Sequence, residues 1–287
     1  MSGVLQTVAG RVDLVVTGAW SGDDVECLRD GRADGLVLNY ALGFAEHDLR
    51  FLTGLPIRRL TLLARTHKDL SPIYSLAPTL TALDLQSDPR EPIELNRLPK
   101  LRRLAACWSQ VAASIGSANR LTDVFLLSYD EPDLRPLSQL PLLERLVLKD
   151  RPAVASLDGI EALPRLTELG VFAAGVLQDI TALSRSPARP TIVRLGACPQ
   201  VPDLEVVHSL TSVRTFEFSD GGEIPSIAPL AALSEVEALI LYGGTNVADG
   251  DLTPLTRLPR LSGLRMRNRR HYRPSVSEIQ ASLAASR

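Results

Sequence analysis

Few residues in this chain have the types and spacing that chemistry needs. The four histidines, His47, His67, His208 and His271, sit far apart, without the short spacing that puts two imidazoles on one metal ion. The three cysteines, Cys27, Cys107 and Cys198, are odd in number and form no Cys-x-x-Cys pair. Neither a disulfide framework nor a zinc site is expected from them. Cys107 and Cys198 are expected to face a groove, but no histidine stands at a matching position to activate either thiol. Gly243-Gly244-Thr245-Asn246 reads as a turn, because no Gly-Lys-Ser/Thr follows to hold phosphate. Carboxylates are numerous, yet no pair stands out, and the metalloprotease and serine-hydrolase signatures are absent. The expectation is a protein with no catalytic residues, no metal and no cofactor.

One charged constellation remains. Seven arginines lie between Arg257 and Arg273, interleaved with His271 and Tyr272, and no acid occurs between Asp251 and Glu278. Such a cluster holds phosphates or an acidic partner when it is free. Arg265, Arg267, Arg269, Arg270 and Arg273 are therefore candidates for polyanion binding. The plainer reading is a solvated terminal segment of an arginine-rich chain, which has 28 arginines against three lysines. The formal net charge of −2 gives no overall reason to bind nucleic acid or membranes.

The elements that must position any site are legible in the leucines. Fifty of the 287 residues are leucine, and they fall in phase. An apolar-x-x-apolar-x-apolar phrase begins at Ala33, Ile57, Leu80, Leu101, Leu121, Leu143, Leu166, Ile192, Val213, Val236 and Leu261. Successive phrases are 20 to 26 residues apart, and a degenerate copy, Ala9/Val12/Leu14, precedes them by 24. The 26-residue step, from Leu166 to Ile192, places its excess in Ser184–Pro190, expected as a longer outer loop. About eight residues after each strand comes an Asp-Leu-x-Pro-Leu-like phrase, as at Asp69–Ile73, Asp133–Leu137 and Asp251–Leu255. Proline suits a helix's first turn, where its missing N–H costs nothing. Each unit is thus a short strand, a turn, a short α or 3₁₀ helix and a return.

On these phrases the chain resembles the leucine-rich repeat family, in its 22-residue form, as in bacterial internalins and a eukaryotic phosphatase regulatory subunit. The resemblance covers roughly residues 9 to 270. It implies an α/β solenoid of 11–12 repeats, with a curved parallel sheet on the concave face and short helices outside. One departure is visible. The asparagine usual in the family, five residues after the first strand leucine, is replaced throughout by residues such as Ala41, Asp88, Ser109, Tyr129, Ala174, Gly221 and Arg269. The backbone groups of the turns then need other partners.

The expected organisation is an N-terminal cap over 1–32, a solenoid over 33–270 and a C-terminal cap over 271–287. Ser21–Arg29 reads as a helix of the first cap. Ser275-x-x-Glu278 reads as a capping box for a last helix, with Val276, Ile279 and Leu283 as its apolar stripe.

Strand residues between the leucines point outward. The outward set holds more apolar groups than solvent favours: Phe125, Leu127, Val147 and Phe172, with Trp108 and Tyr129 at the rim and Tyr242 further on. Arg103, Arg145 and Arg194 stand beside them. Aromatics next to arginines are the composition of a protein-binding hot spot, and the alternative is that some of these rings pack inward. The function expected is a scaffold that binds another protein in an inhibitor, immunity or adaptor role. Polyanion recognition at the arginine-rich end is the alternative. A bacterial source, a cytoplasmic location and a monomer or weak oligomer complete the expectations. They rest on arginine usage, on the cysteine pattern and on an N-terminus without a basic leader.

Overall fold

A computed structural model describes residues 3–65 and 67–285. It divides into two compact units, Met1–Leu126 and Leu127–Arg287. Both are built from the same coil, a five-residue parallel strand followed by a short helical turn.

The first unit opens with a hairpin of β1 (Gly3–Val8) and β2 (Arg11–Val16), paired antiparallel. Ala9 and Gly10 both take left-handed φ, +49° and +76°. That is the backbone a two-residue hairpin needs. The repeat pattern did not anticipate β1. Helix α1 (Gly22–Arg29) follows where Ser21–Arg29 was expected to be helical. Asp24, fully buried, accepts from Ser21 N–H and Oγ through one oxygen and from the Gly3 N–H, at 3.1 Å, through the other. One carboxylate thereby caps α1 and ties it to β1.

Four parallel strands continue the sheet of this unit. They are β3 (Gly35–Asn39), β4 (Arg59–Leu63), β5 (Ala82–Gln86) and β6 (Arg103–Cys107). Leu36, Leu60, Leu83 and Leu104 stand in register and are all buried. β2 aligns Leu14 with Leu36 and Val16 with Leu38. The degenerate first repeat is therefore shifted by two residues from Ala9/Val12/Leu14. The sequence phase failed there because a hairpin, not a helical return, precedes the strand. Strand β7 (Asp123–Leu127) crosses the boundary between the units.

The second unit holds β8 (Arg145–Lys149), β9 (Glu168–Phe172), β10 (Ile192–Gly196), β11 (Thr215–Ser219), β13 (Ala238–Leu241) and β15 (Gly263–Met266), all parallel. A second, two-stranded sheet pairs β12 (Glu223–Ile224) with β14 (Asn246–Val247). The buried column is Leu146, Leu169, Val193, Phe216 and Leu239. This corrects the eighth repeat. Its core residues are Val193 and Leu195, not Leu195 and Ala197, because β10 pairs Val193 with Leu169. Pro190, buried, takes the first position. The steps become 24 and 23 residues, and the expected excess in Ser184–Pro190 disappears.

The Asp-Leu-x-Pro-Leu phrases act as anticipated, and the aspartate has a role of its own. Asp69, Asp133 and Asp251 each accept, through Oδ1, the backbone N–H two residues on, at 2.8–2.9 Å. The short helices Ser71–Leu76, Arg135–Leu137 and α3 (Thr253–Thr256) start at those points. The flanking Leu70, Leu134 and Leu252 are buried. Each contributes about 1.5–3 kcal/mol of apolar burial, set against an ordering cost of about 1–2 kcal/mol per residue for the backbone.

Dissimilar side chains do the work of an asparagine ladder. In the first unit Gln110, on the one-turn helix α2 (Trp108–Val111), is buried. Its Nε2 donates to Ser87 Oγ and the carbonyls of Asp88 and Glu91. In the second unit Tyr129 Oη donates to Asp133 O at 2.7 Å. Thr245 Oγ1 donates to Phe218 O and accepts from Gly221 N–H. The last helix, α4 (Val276–Ala285), begins at Ser275, whose N–H and Oγ both bond Glu278 Oε2. Val276 and Ile279 are buried and Leu283 is half-buried. No helix among the described residues is long and apolar enough to cross a membrane.

Candidate binding surfaces

The outward side of each sheet is the place to look for a site, and each unit presents its own. In the first unit Arg59 is committed internally. Its guanidinium lies 2.6 Å from Asp13 and 2.7 Å from Asp34. Arg103, half exposed, stands 3.5 Å from Asp123. Between Thr61 and Ala105 in the same column sits Asp84. Its Oδ1 is shielded from solvent with no hydrogen-bond partner, and burial pushes its pKa above the usual carboxylate range. The hot-spot reading passed over this residue. Its only sequence signal is an acid in the middle of the outward column, flanked by small side chains. Phe125 is half-buried.

Trp108 does not belong to this surface. It was expected at the rim, but only 4% of it is exposed. Strand alternation carries one residue past β6: Ala106 faces in, Cys107 out and Trp108 in again.

In the second unit Tyr129 is likewise fully buried. Here the phase changes first. Ser128 takes φ +51°, leaves the alternation and is exposed, and the next residue turns inward. Ala173 (+59°) and Ala197 (+54°) do the same ahead of Ala174 and Cys198, both fully buried. The N–H groups of Ser128, Ala173 and Ala197 then donate to the last strand carbonyl of a following coil, and that of Asp220 to Tyr242 O just past its strand, at 2.7–2.9 Å. Cys198 is thus inside rather than in a groove, and burial raises its pKa to about 11, so it is a poor nucleophile.

Val147 is also a correction, since it is only 4% exposed. Its neighbour across the strand is Gly170, and the ring of Phe172 lies along the sheet instead of standing out from it. A Cβ placed on Gly170 would meet Phe172 Cε2 at 2.9 Å and Val147 Cγ2 at 3.4 Å. A Cβ on Gly196 would meet Phe172 Cδ1 at 2.7 Å. Two glycines therefore form a bed on which Phe172 rests, half-buried, beside the covered Val147. Leu127 is half-buried as well.

The arginines of this face differ in their partners. Arg145 lies 3.2 Å from Glu168, and Arg194 lies 2.9 Å from Glu168 and 3.9 Å from Glu217. The corrected register places Arg194 in the middle column, between Gly170 and Glu217. At the C-terminal end, Arg265 stacks on the Tyr242 ring at 4.4 Å and Arg267 at 5.5 Å. Tyr242 is 36% exposed.

The five arginines expected as polyanion candidates differ in their surroundings. Arg269 is half-buried and donates to Thr245 O. Arg273 donates to the carbonyls of Arg270 and Tyr272. Arg265, Arg267 and Arg270 remain exposed. His271 bonds Val247 O, and Tyr272 is wholly buried, its Oη bonded to Val247 N–H and Asn246 Oδ1. Among the described residues no group of three or more His, Cys, Asp or Glu is placed to hold a metal ion.

No known family profile matches the sequence, and no curated protein matches it. Solved structures do. An internalin from Listeria monocytogenes superposes with a TM-score of 0.59 at 17% identity, over 85% of this chain and 72% of its own. A leucine-rich repeat protein from Leptospira interrogans superposes with a TM-score of 0.60 at 19% identity, over 77% of this chain and 59% of its own.

Proposed function

We propose that this chain, whose fold is the leucine-rich repeat, is a non-catalytic scaffold that binds another protein through its outward sheet face. The observation that carries the reading is the bed of Gly170 and Gly196 beneath Phe172. Glycine is costly in a strand interior because it packs nothing and loses the most backbone entropy. Two glycines on adjacent strands, both against one ring, hold a large apolar surface flat. That suits a docking platform better than it suits a solvated sheet. The ion pairs of Arg145 and Arg194 with Glu168 and Glu217 border this platform and give it fixed polarity.

Affinity capture from the native cell tests the proposal. The intact chain is expected to retain a protein that Phe172→Asp, and separately Phe125→Asp, release while keeping the fold by circular dichroism. Unchanged capture by both folded variants rules out these surfaces.

A further inference from the structure

The C-terminal end of the outward face in the second unit carries a charge that its own chain does not neutralise. Four arginines lie on this face. Arg145 and Arg194 are paired with Glu168 and Glu217. Arg265 and Arg267 are exposed, and among the described residues no carboxylate lies within ion-pair distance of either. They alternate with the buried Met266, so strand geometry sends both side chains to the same side. Both stack on one exposed ring, that of Tyr242, on the neighbouring strand. Stacking fixes each guanidinium and leaves its edge N–H groups free to point at an acceptor.

We propose that Arg265, Arg267 and Tyr242 form a recognition site for an acidic peptide segment of a protein partner, extended across the end of the sheet. Each guanidinium fork takes a carboxylate through paired hydrogen bonds, so an acidic end of the peptide meets two forks at once. The column leading away from Arg265 favours a peptide over a nucleic acid. It reads Arg265, Ile240, Glu217, Arg194 along adjacent strands. A uniform polyanion would run from the two arginines past an isoleucine into Glu217. A peptide can vary its side chains to match each step. The site rests on the scaffold reading but tests separately from it, because it binds a free peptide without the native partner.

Fluorescence anisotropy of the full chain with a labelled Glu-Ser repeat octapeptide tests the proposal. Saturable binding is expected, weakened at least tenfold when Gln replaces Glu in the probe. Arg265→Glu with Arg267→Glu should lower affinity at least tenfold, the milder Arg265→Gln with Arg267→Gln should weaken it less, and Tyr242→Ala should weaken it about threefold. Arg165→Glu with Arg257→Glu removes equal charge from exposed positions off the ring and should change affinity less than twofold. Absence of saturable binding, equal loss in the off-ring variant, or tighter binding of a 20-nucleotide oligo-dT at the same salt overturns the proposal. If the octapeptide fails to bind while partner capture stays intact, this site falls and the scaffold reading stands.

Discussion

His67 shows how one side chain's environment becomes a property of the protein. It stacks on Phe44 with ring centroids 5.8 Å apart and is 7% exposed. Burial holds its pKa below the usual imidazole value, and the charges of Asp48 and His47 nearby pull in opposite directions. A base whose folded pKa is lowered contributes stability that is fully present above its unfolded pKa, about 6.5. That stability is lost as pH falls, because the unfolded chain takes up the proton first. The urea midpoint is therefore expected to drop between pH 7 and 5, and His67→Phe should flatten the drop. An unchanged slope in that variant assigns the pH dependence elsewhere. Tyr129 makes the complementary case. Tyr129→Phe removes the 2.7 Å bond to the part-buried Asp133 O. About 0.5–1.5 kcal/mol of stability should be lost, read from the same denaturation curves. The ring would still fill its space, so a loss below ~0.5 kcal/mol would mean that water replaces the hydroxyl.

At the scale of the element, a single left-handed residue directly after β7, β9, β10 and β11 sets what the coil displays. Alanine pays for this backbone at Ala173 and Ala197, where a left-handed conformation costs about 1–2 kcal/mol relative to glycine. Ala173→Gly should relieve part of it and raise stability by roughly 0.5–1 kcal/mol after the extra entropy of the unfolded chain. A thermal melt that moves down instead would show that the alanine methyl packs usefully. These turns also explain what the sequence could and could not reveal. Leucine spacing located the strands because a buried column must repeat with the coil. It misplaced Trp108 and Tyr129 because burial just past a strand depends on whether the next residue is left-handed. Ser128, Ala173 and Ala197 share no residue type that announces such a turn. The error at Ile192 had the same origin: Ile192, Leu195 and Ala197 imitate the apolar phrase, and only strand pairing shows that Val193 is the core residue. Asp84 and the glycine bed were unreadable for another reason. A shielded oxygen or a ring lying flat depends on neighbours about 20 residues away in the chain.

Within each unit, stability is a sum over neighbouring coils, since successive strands of the main sheet pair with one another. Leu169 is wholly buried between Leu146 and Val193 in register. Leu169→Asp places a carboxylate where no partner waits and should cost several kcal/mol. Hydrogen exchange should show β8, β9 and β10 losing protection together; loss confined to β9 would mean that coils in this unit are held independently. The near-neutral charge fits recognition by local pattern better than by long-range attraction. Oppositely charged groups alternate on the outward face of the second unit, so a partner selected there must match a sequence of steps.

The left-handed turn also acts as a parity switch. It takes up one residue without advancing the in–out count, so the chain leaves β7, β9, β10 and β11 with its sidedness inverted. A loop beyond it can then lengthen or shorten without altering which side chains the sheet shows. The same arithmetic works against the protein when a residue is lost at the turn itself. Removing Ala197 would carry Cys198 across to the outward side. A thiol kept from solvent in the intact chain would then react with a polar maleimide, and the rate of that labelling would measure how strictly the fold keeps count.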